Sequence, residues 1–257
     1  MEEHEAHPWR TVEELVEIGY QRSRVVMMNE CHGWRWRCIR TRRIGQRILP
    51  TAHRLGVRHL AMEPLYPLVV EEANRTRRLP EDVWESLQDP EIREFTQTAL
   101  DLGWTLIAYE ADGGQEPPGL SLRQGNNWRE EQQAQHLIEA LATTPQEEKL
   151  LVWCGNNHHD KGVAPAREGE PDEFWALMGY HFRQKSGINH FAIDQCIAVP
   201  LPRHPRRAAR EKWLAEVTPT LTTFGGTAGF LMEEAPISFP VPEETDAYVV
   251  SLDNAMK

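Results

Sequence analysis

A carboxylate, a thiol and an imidazole occupy consecutive positions in Asn29-Glu30-Cys31-His32-Gly33. Histidine titrates near neutrality and a flanking carboxylate can hold it in one tautomer, so His32 is a candidate to take a proton from water or a hydroxyl. Gly33 would let the backbone turn sharply after it. A His between a strand and a helix also serves simply as a hydrogen-bonding cap. Cys31 is a candidate nucleophile if His32 and a helix start depress its pKa, but adjacent side chains on extended backbone diverge.

Four other places carry similar chemistry. Gly155-Asn156-Asn157-His158-His159 offers two imidazoles that point apart if extended, so His158 alone is taken to face a site. Glu63 follows Leu60-Ala61-Met62 and precedes Pro64, placed to orient an imidazole, bind substrate hydroxyls or cap the next helix. Glu110 closes Trp104-Thr105-Leu106-Ile107-Ala108-Tyr109 in the same manner. Arg129, in Asn127-Trp128-Arg129-Glu130-Glu131, is read as opening a helix, where a cation is either offset by the two glutamates or kept to meet a carboxylate or oxyanion. Two histidines and two glutamates would also suit a divalent metal, although no local signature such as H-E-x-x-H is present, and no metal ligand is assigned.

The elements that position these residues repeat one design: an apolar run, a polar end, a helix. Arg24 to Glu30, His59 to Glu63, Trp104 to Glu110 and Leu150 to Cys154 are the strands. Helices are expected over Arg37 to Leu55, where Ile44, Ile48, Ala52 and Leu55 share a face and Gly56 caps the end; from Pro90 to Leu102, with Gly103 after it; over Trp128 to Ala142; and over Phe174 to Phe182. Asp112 to Gly125 reads as a loop and Asn189 to Val199 as a further strand. Strands alternating with helices indicate an α/β domain whose mostly parallel central sheet carries helices on both faces. Such sheets bind ligands beyond the carboxyl ends of their strands, where Glu30, Glu63, Glu110 and His158 would converge.

A single domain over residues 1–257 is expected, with a helical lead-in over 1–21 and a C-terminal extension over 200–257. In that extension Pro202 to Arg207 reads as a linker, Ala208 to Glu216 as a short helix, Thr227 to Met232 as a strand, and Tyr248 to Leu252 as a last strand at a sheet edge. The formal net charge of -11 argues against nucleic acid as a partner despite the basic, aromatic stretch from Trp34 to Arg43. Arg35 and Arg37 there are better suited to holding an anionic small-molecule substrate, with a solvated helix face as the alternative reading. No apolar run approaches the roughly 18 residues a membrane span needs, and Met1-Glu2-Glu3-His4-Glu5 is unlike an export signal, so a cytoplasmic setting is expected. The four cysteines lack C-x-x-C spacing and are expected to be thiols.

Taken in order, Val25 to Gly33, Leu60 to Glu63, Arg129 to Ala134 and Leu151 to His158 resemble the motifs of the erythromycin esterase-like family, part of a wider group with the Tiki/TraB proteins and a bacterial haem-binding lipoprotein. The resemblance covers about residues 22–160. It implies hydrolysis by water that a histidine activates. His32 would be the general base, Glu30 and Glu63 would orient it or the substrate, and His158 and Arg129 would stabilise charge on a carbonyl oxygen. Asn29 stands where the family has glycine, and Gln133 where it usually has methionine. The chain is also short for a macrolide esterase, which points to a smaller or anionic substrate, bound with help from Arg35, Arg37, Glu110 and Asn156.

The leading expectation is therefore a metal-independent hydrolase of the erythromycin esterase-like type, acting on an ester, lactone or amide of a small metabolite, without cofactor. Two alternatives stand beside it. The same groups would serve a non-hydrolytic acid-base enzyme, a dehydratase, cyclase or isomerase of secondary metabolism. A binding module for a metal or haem would use the histidines as ligands instead. Oligomeric state is not legible.

Overall fold

The computed structural model describes residues 8–33, 36–83, 85–163, 175–196, 199, 207–235 and 244–253. Its centre is a seven-stranded, mostly parallel sheet in the order β5-β4-β6-β1-β7-β9-β8.

Helix α1 (Val12–Arg22) opens with a capping box, the Thr11 hydroxyl accepting from the Glu14 N–H while the Glu14 carboxylate accepts from the Thr11 N–H. It leads into β1 (Val25–Glu30), buried throughout. A short hairpin follows, β2 (His32–Gly33) against β3 (Trp36–Arg37), before α2 (Ile39–Arg54). The direct strand-to-helix turn expected after His32 is thus a hairpin, with His32 in register with Arg37. Next come β4 (Val57–Met62), α3 (Pro67–Thr76), α4 (Glu85–Gln88), α5 (Pro90–Asp101) and β5 (Thr105–Ala108). Gly56 and Gly103 take the left-handed φ of +92° and +85° that ends α2 and α5 without a side-chain clash.

Helix α6 (Leu122–Ala142) begins earlier than the composition suggests. Ser121 and Gln124 form a second capping box, so the end of the expected loop is already helical and Arg129 sits inside the helix rather than at its start. Then follow β6 (Lys149–Gly155), α7 (Met178–Ser186) and β7 (Phe191–Asp194). The helix expected from Phe174 starts only at Met178, because Ala176 is taken up in an isolated bridge to Val163. Phe174 itself and most of the linker at Pro202 to Arg207 lie outside the described residues.

Helix α8 (Arg207–Thr223) runs past the expected stop at Glu216 and through Pro219. The Thr218 hydroxyl donates to the Leu214 carbonyl at 2.8 Å, and buried Leu221 packs with Trp213 and Phe230. Packing thereby outweighs the backbone bond that proline removes. Strands β8 (Thr227–Leu231) and β9 (Ala247–Ser251) complete the sheet. β9 is not at the edge: it pairs in parallel with β7 and antiparallel with β8, which takes the edge position.

Alternation along the strands divides the core between the two faces. Val26, Met28, Leu60, Met62, Leu151 and Trp153 pack under α1, α2, α3 and α5. Val25, Met27, Ala61, Leu150, Val152 and Cys154 pack under α6 and α7. A two-residue period buried on both sides is what a helix-covered parallel sheet requires. Among the described residues no helix is long and apolar enough to cross a membrane.

Candidate functional site

Glu30 ends β1 and is almost wholly buried, yet each of its oxygens is engaged. Arg42 of α2 grips it with two hydrogen bonds of 2.8 Å, one from Nε and one from a terminal nitrogen, while Trp153 Nε1 donates at 3.1 Å. Arg42 is held in turn by Asp89 at 2.6 Å, just before α5. Burial pushes the Glu30 carboxyl up, but the bonds and charge of His32 and Arg42 outweigh it and hold it at about 2.

His32 Nδ1 lies 2.7 Å from Glu30 Oε1. Against an ionised carboxylate that nitrogen carries the proton, which leaves Nε2 of the neutral ring as the acceptor. Burial lowers the imidazole pKa, whereas Glu30 and then Glu63 raise it, with a net upward shift from 6.5. About a third of the His32 side chain remains exposed (32%).

Glu63 directly follows β4. It accepts the Gly155 N–H at 2.7 Å and an Arg129 terminal nitrogen at 2.8 Å, and its Oε1 lies 3.9 Å from His158 Nε2. Burial pushes Glu63 up, and the charges of His158, Arg129 and His32 bring it below the ordinary carboxylate value. Arg129 also donates through Nε to Glu110 at 2.9 Å and through its terminal nitrogen to the second Glu110 oxygen. Gln133, one turn along α6, donates to both Glu110 oxygens at 3.0 Å. The guanidinium expected to meet a substrate anion thus already meets two carboxylates of its own chain.

His158 repeats the His32 arrangement. Its Nδ1 lies 2.8 Å from an oxygen of Glu130, a buried carboxylate that also accepts the Met178 N–H at 2.8 Å. Burial lowers the His158 pKa, but Glu130 and Glu63 carry it up to about 9. At neutral pH the ring is an imidazolium.

Gly155 lets these groups meet. A β-carbon there would lie 2.5 Å from His32 Cε1 and 2.8 Å from both His32 Nε2 and Glu63 Oε2. Glycine is therefore required by what packs against it rather than by its own backbone angles. Gly155→Ala is expected to retain the fold but to lower turnover about 100-fold, because the methyl must push His32 off its line with Glu30. Paired measurements of kcat and of the His32 ring resonances check this.

Of the residues singled out by sequence, Glu63, Glu110, Arg129 and His158 form one connected set of contacts and Glu30 with His32 a second, and the two sets meet at Gly155, against which both His32 and Glu63 lie. Asn156 enters through its backbone, its N–H donating to the Glu30 carbonyl at 2.8 Å. Arg35 lies outside the described residues, and Arg37 is placed only by its backbone in β3. Cys31 is buried in a small cluster with Cys38 and Val199, against which Cys196 packs, and is not presented as a nucleophile. Arg42, Asp89, Glu130 and Gln133 join the site without being among its sequence candidates. Among the described residues no group of three His, Cys, Asp or Glu side chains is arranged to hold a metal ion.

No protein-family model matches the chain, and no curated protein matches it. Likeness to solved structures is confined to the fold. RRSP, a MARTX toxin effector domain from Vibrio vulnificus CMCP6, aligns with TM-score 0.53 and 15% identity over 72% of this chain and 36% of that one. The chain therefore spans little more than a third of the toxin structure it matches. The type III effector HopBA1 aligns with TM-score 0.50 and 13% identity over 93% and 92% of the two chains. ChaN of Campylobacter jejuni, in a structure of cofacial haem binding, aligns with TM-score 0.51 and 8% identity over 94% and 92%.

The expectation of a hydrolase of the erythromycin esterase-like type is corrected by these comparisons. The neighbours are toxin and effector domains and a haem-binding protein, and nothing matched ties the chain to those esterases. The motifs behind that expectation are three short strand ends and a stretch of α6, which a shared α/β scaffold can place without a shared reaction.

Proposed function

We propose that this protein is a non-hydrolytic acid-base enzyme acting on a small polar molecule at the carboxyl ends of β1, β4 and β6. One observation carries the reading: two imidazoles, each anchored through Nδ1 to a buried carboxylate, flank the carboxylate of Glu63. His158 holds its proton at neutral pH. His32, its Nδ1 committed to Glu30 and its side chain partly exposed, keeps Nε2 for exchange. A group that donates beside a group that accepts is what loss of water, ring closure or isomerisation requires. Glu63 and Arg129 would position the substrate, and no covalent nucleophile is needed.

The test is mass spectrometry of a metabolite extract incubated with native protein and with His32→Ala protein. A species that loses one water or rearranges at constant mass, with native protein only, supports the proposal. A species that gains one water would sink it.

The pH profile follows from the two rings. As base, His32 must lose its proton, so kcat/KM is expected to rise with pH through a value above 6.5. As acid, His158 must keep its proton, so activity is expected to fall through about 9. A profile that lacks the acid-side rise would remove His32 from the mechanism, and one that lacks the fall near 9 would remove His158.

A haem-binding role is the second reading, favoured by the likeness to ChaN over nearly the full chain and by the partly exposed His32 ring with its Nδ1 anchored. Among the described residues the groups around that donor are the charged side chains of Glu30, Glu63, Arg129 and His158, which suit a polar ligand better than a porphyrin, and no step is assigned to haem. An absorption spectrum of the purified protein titrated with haem separates the two readings.

A further inference from the structure

We propose that Asn29 is a positioning residue for His158, acting through the turn that follows β6; the proposal rests on the acid-base reading above. Asn29 is fully buried beside the end of β1. Its Nδ2 donates to the Asn156 carbonyl oxygen and, at 2.9 Å, to Asp194 Oδ1, while its Oδ1 accepts the Gln195 N–H at 2.8 Å. Gln195 Nε2 donates back to the Asn29 carbonyl. A single side chain therefore fastens the end of β6, on one side of β1, to the end of β7 on the other. Two of its neighbours accept and one donates. An amide satisfies all three; a carboxylate has no proton to give, and glycine offers nothing.

What the amide secures is a backbone that would not hold itself. Asn156 has a φ of +45°, in the left-handed region that costs a non-glycine residue free energy and persists only where the surroundings impose it. Its N–H is taken by the Glu30 carbonyl and its own carbonyl by Asn29, so neighbouring residues of β1 grip both sides of the kink. From that kink the chain turns, the His158 N–H donating to the Gly155 carbonyl at 3.2 Å, and His158 Nδ1 arrives against Glu130. If the kink relaxes, the ring moves away from Glu130 and Glu63, and burial, which lowers its pKa, gains weight.

The experiment is NMR titration of the full chain with labelled histidine, the His158 signal assigned from a His158→Gln variant. Asn29→Asp sets a carboxylate against Asp194 and against the Asn156 carbonyl. His158 is then expected to titrate about one pH unit below its native value. Asn29→Asp combined with Asp194→Asn again gives that contact a donor facing an acceptor, but it still offers nothing to the Asn156 carbonyl. This double variant is expected to regain thermal stability while His158 stays low, and it is the variant to titrate should the single one not fold. A native His158 titration in either variant overturns the proposal. Failure to find any turnover would defeat the acid-base reading alone, since the titration needs no substrate.

Discussion

Replacing His32 with alanine is expected to lower kcat by about 100- to 10,000-fold, the usual contribution of a positioned proton-transfer group. The melting temperature should change by no more than about 2 °C. The asymmetry follows from the geometry. Without the imidazole, Glu30 keeps both Arg42 bonds and the Trp153 bond, so no buried charge is stranded. His32→Gln sharpens the comparison, because a side-chain amide can donate to Glu30 but cannot exchange a proton at the Nε2 position. If the glutamine variant retains activity within about tenfold, His32 binds or orients and does not transfer the proton.

Arg42→Met is expected to act in the opposite sense, on the fold before the chemistry. Breaking a buried ion pair by removing one partner costs about 3–5 kcal/mol, because the remaining charge is left in a poor solvent. At this chain length that corresponds to a fall in melting temperature of roughly 10 °C. Glu30→Gln combined with Arg42→Met should recover part of the loss, since the glutamine carries no charge to strand. Denaturation curves at several pH values extend the test. Glu30 titrates at about 2 in the fold against an ordinary 4.5, so its contribution is present above 4.5 and is lost as pH falls toward 2. His158 titrates at about 9 against 6.5, so its contribution is full below 6.5 and is lost as pH rises through 9. Buried His190, held down to about 3 by desolvation, runs the other way, its contribution full above 6.5 and lost as pH falls toward 3. The three windows together place greatest stability close to 6.5, on the acid side of the expected activity optimum.

The strands and their terminal carboxylates were legible because a parallel strand buried on both faces must be an unbroken apolar run, and a Glu that ends one has few places to go. Glu30, Glu63 and Glu110 were found in that way. Their partners were not. Arg42, Glu130 and Gln133 lie on helices where charged and amide residues ordinarily face solvent, and only the crossing of α2 and α6 over the sheet turns them inward. Arg129 stands out in the sequence as a cation at a helix start, whereas Ser121 and Gln124 begin that helix earlier and place it inside. Asn29 was noticed as a departure from a resembled motif, but its bonds reach residues 127, 165 and 166 positions away in the chain. No local pattern encodes such pairings, just as none told that β9 would lie between β7 and β8.

The strand order also governs how the molecule must come into being. β1 is flanked by β6 and β7, so Val25 awaits Leu150 and Val26 awaits Phe191. During synthesis β4 and β5 can pair as soon as both have emerged, while β1 waits with both edges open. Sheets joined through such distant pairings fold slowly and expose sticky intermediates meanwhile. The docking of β6 onto β1 that ends this wait is also the event that brings Gly155 to Glu30. A nascent or truncated chain lacking β6 should therefore be prone to aggregate and inactive for one and the same cause.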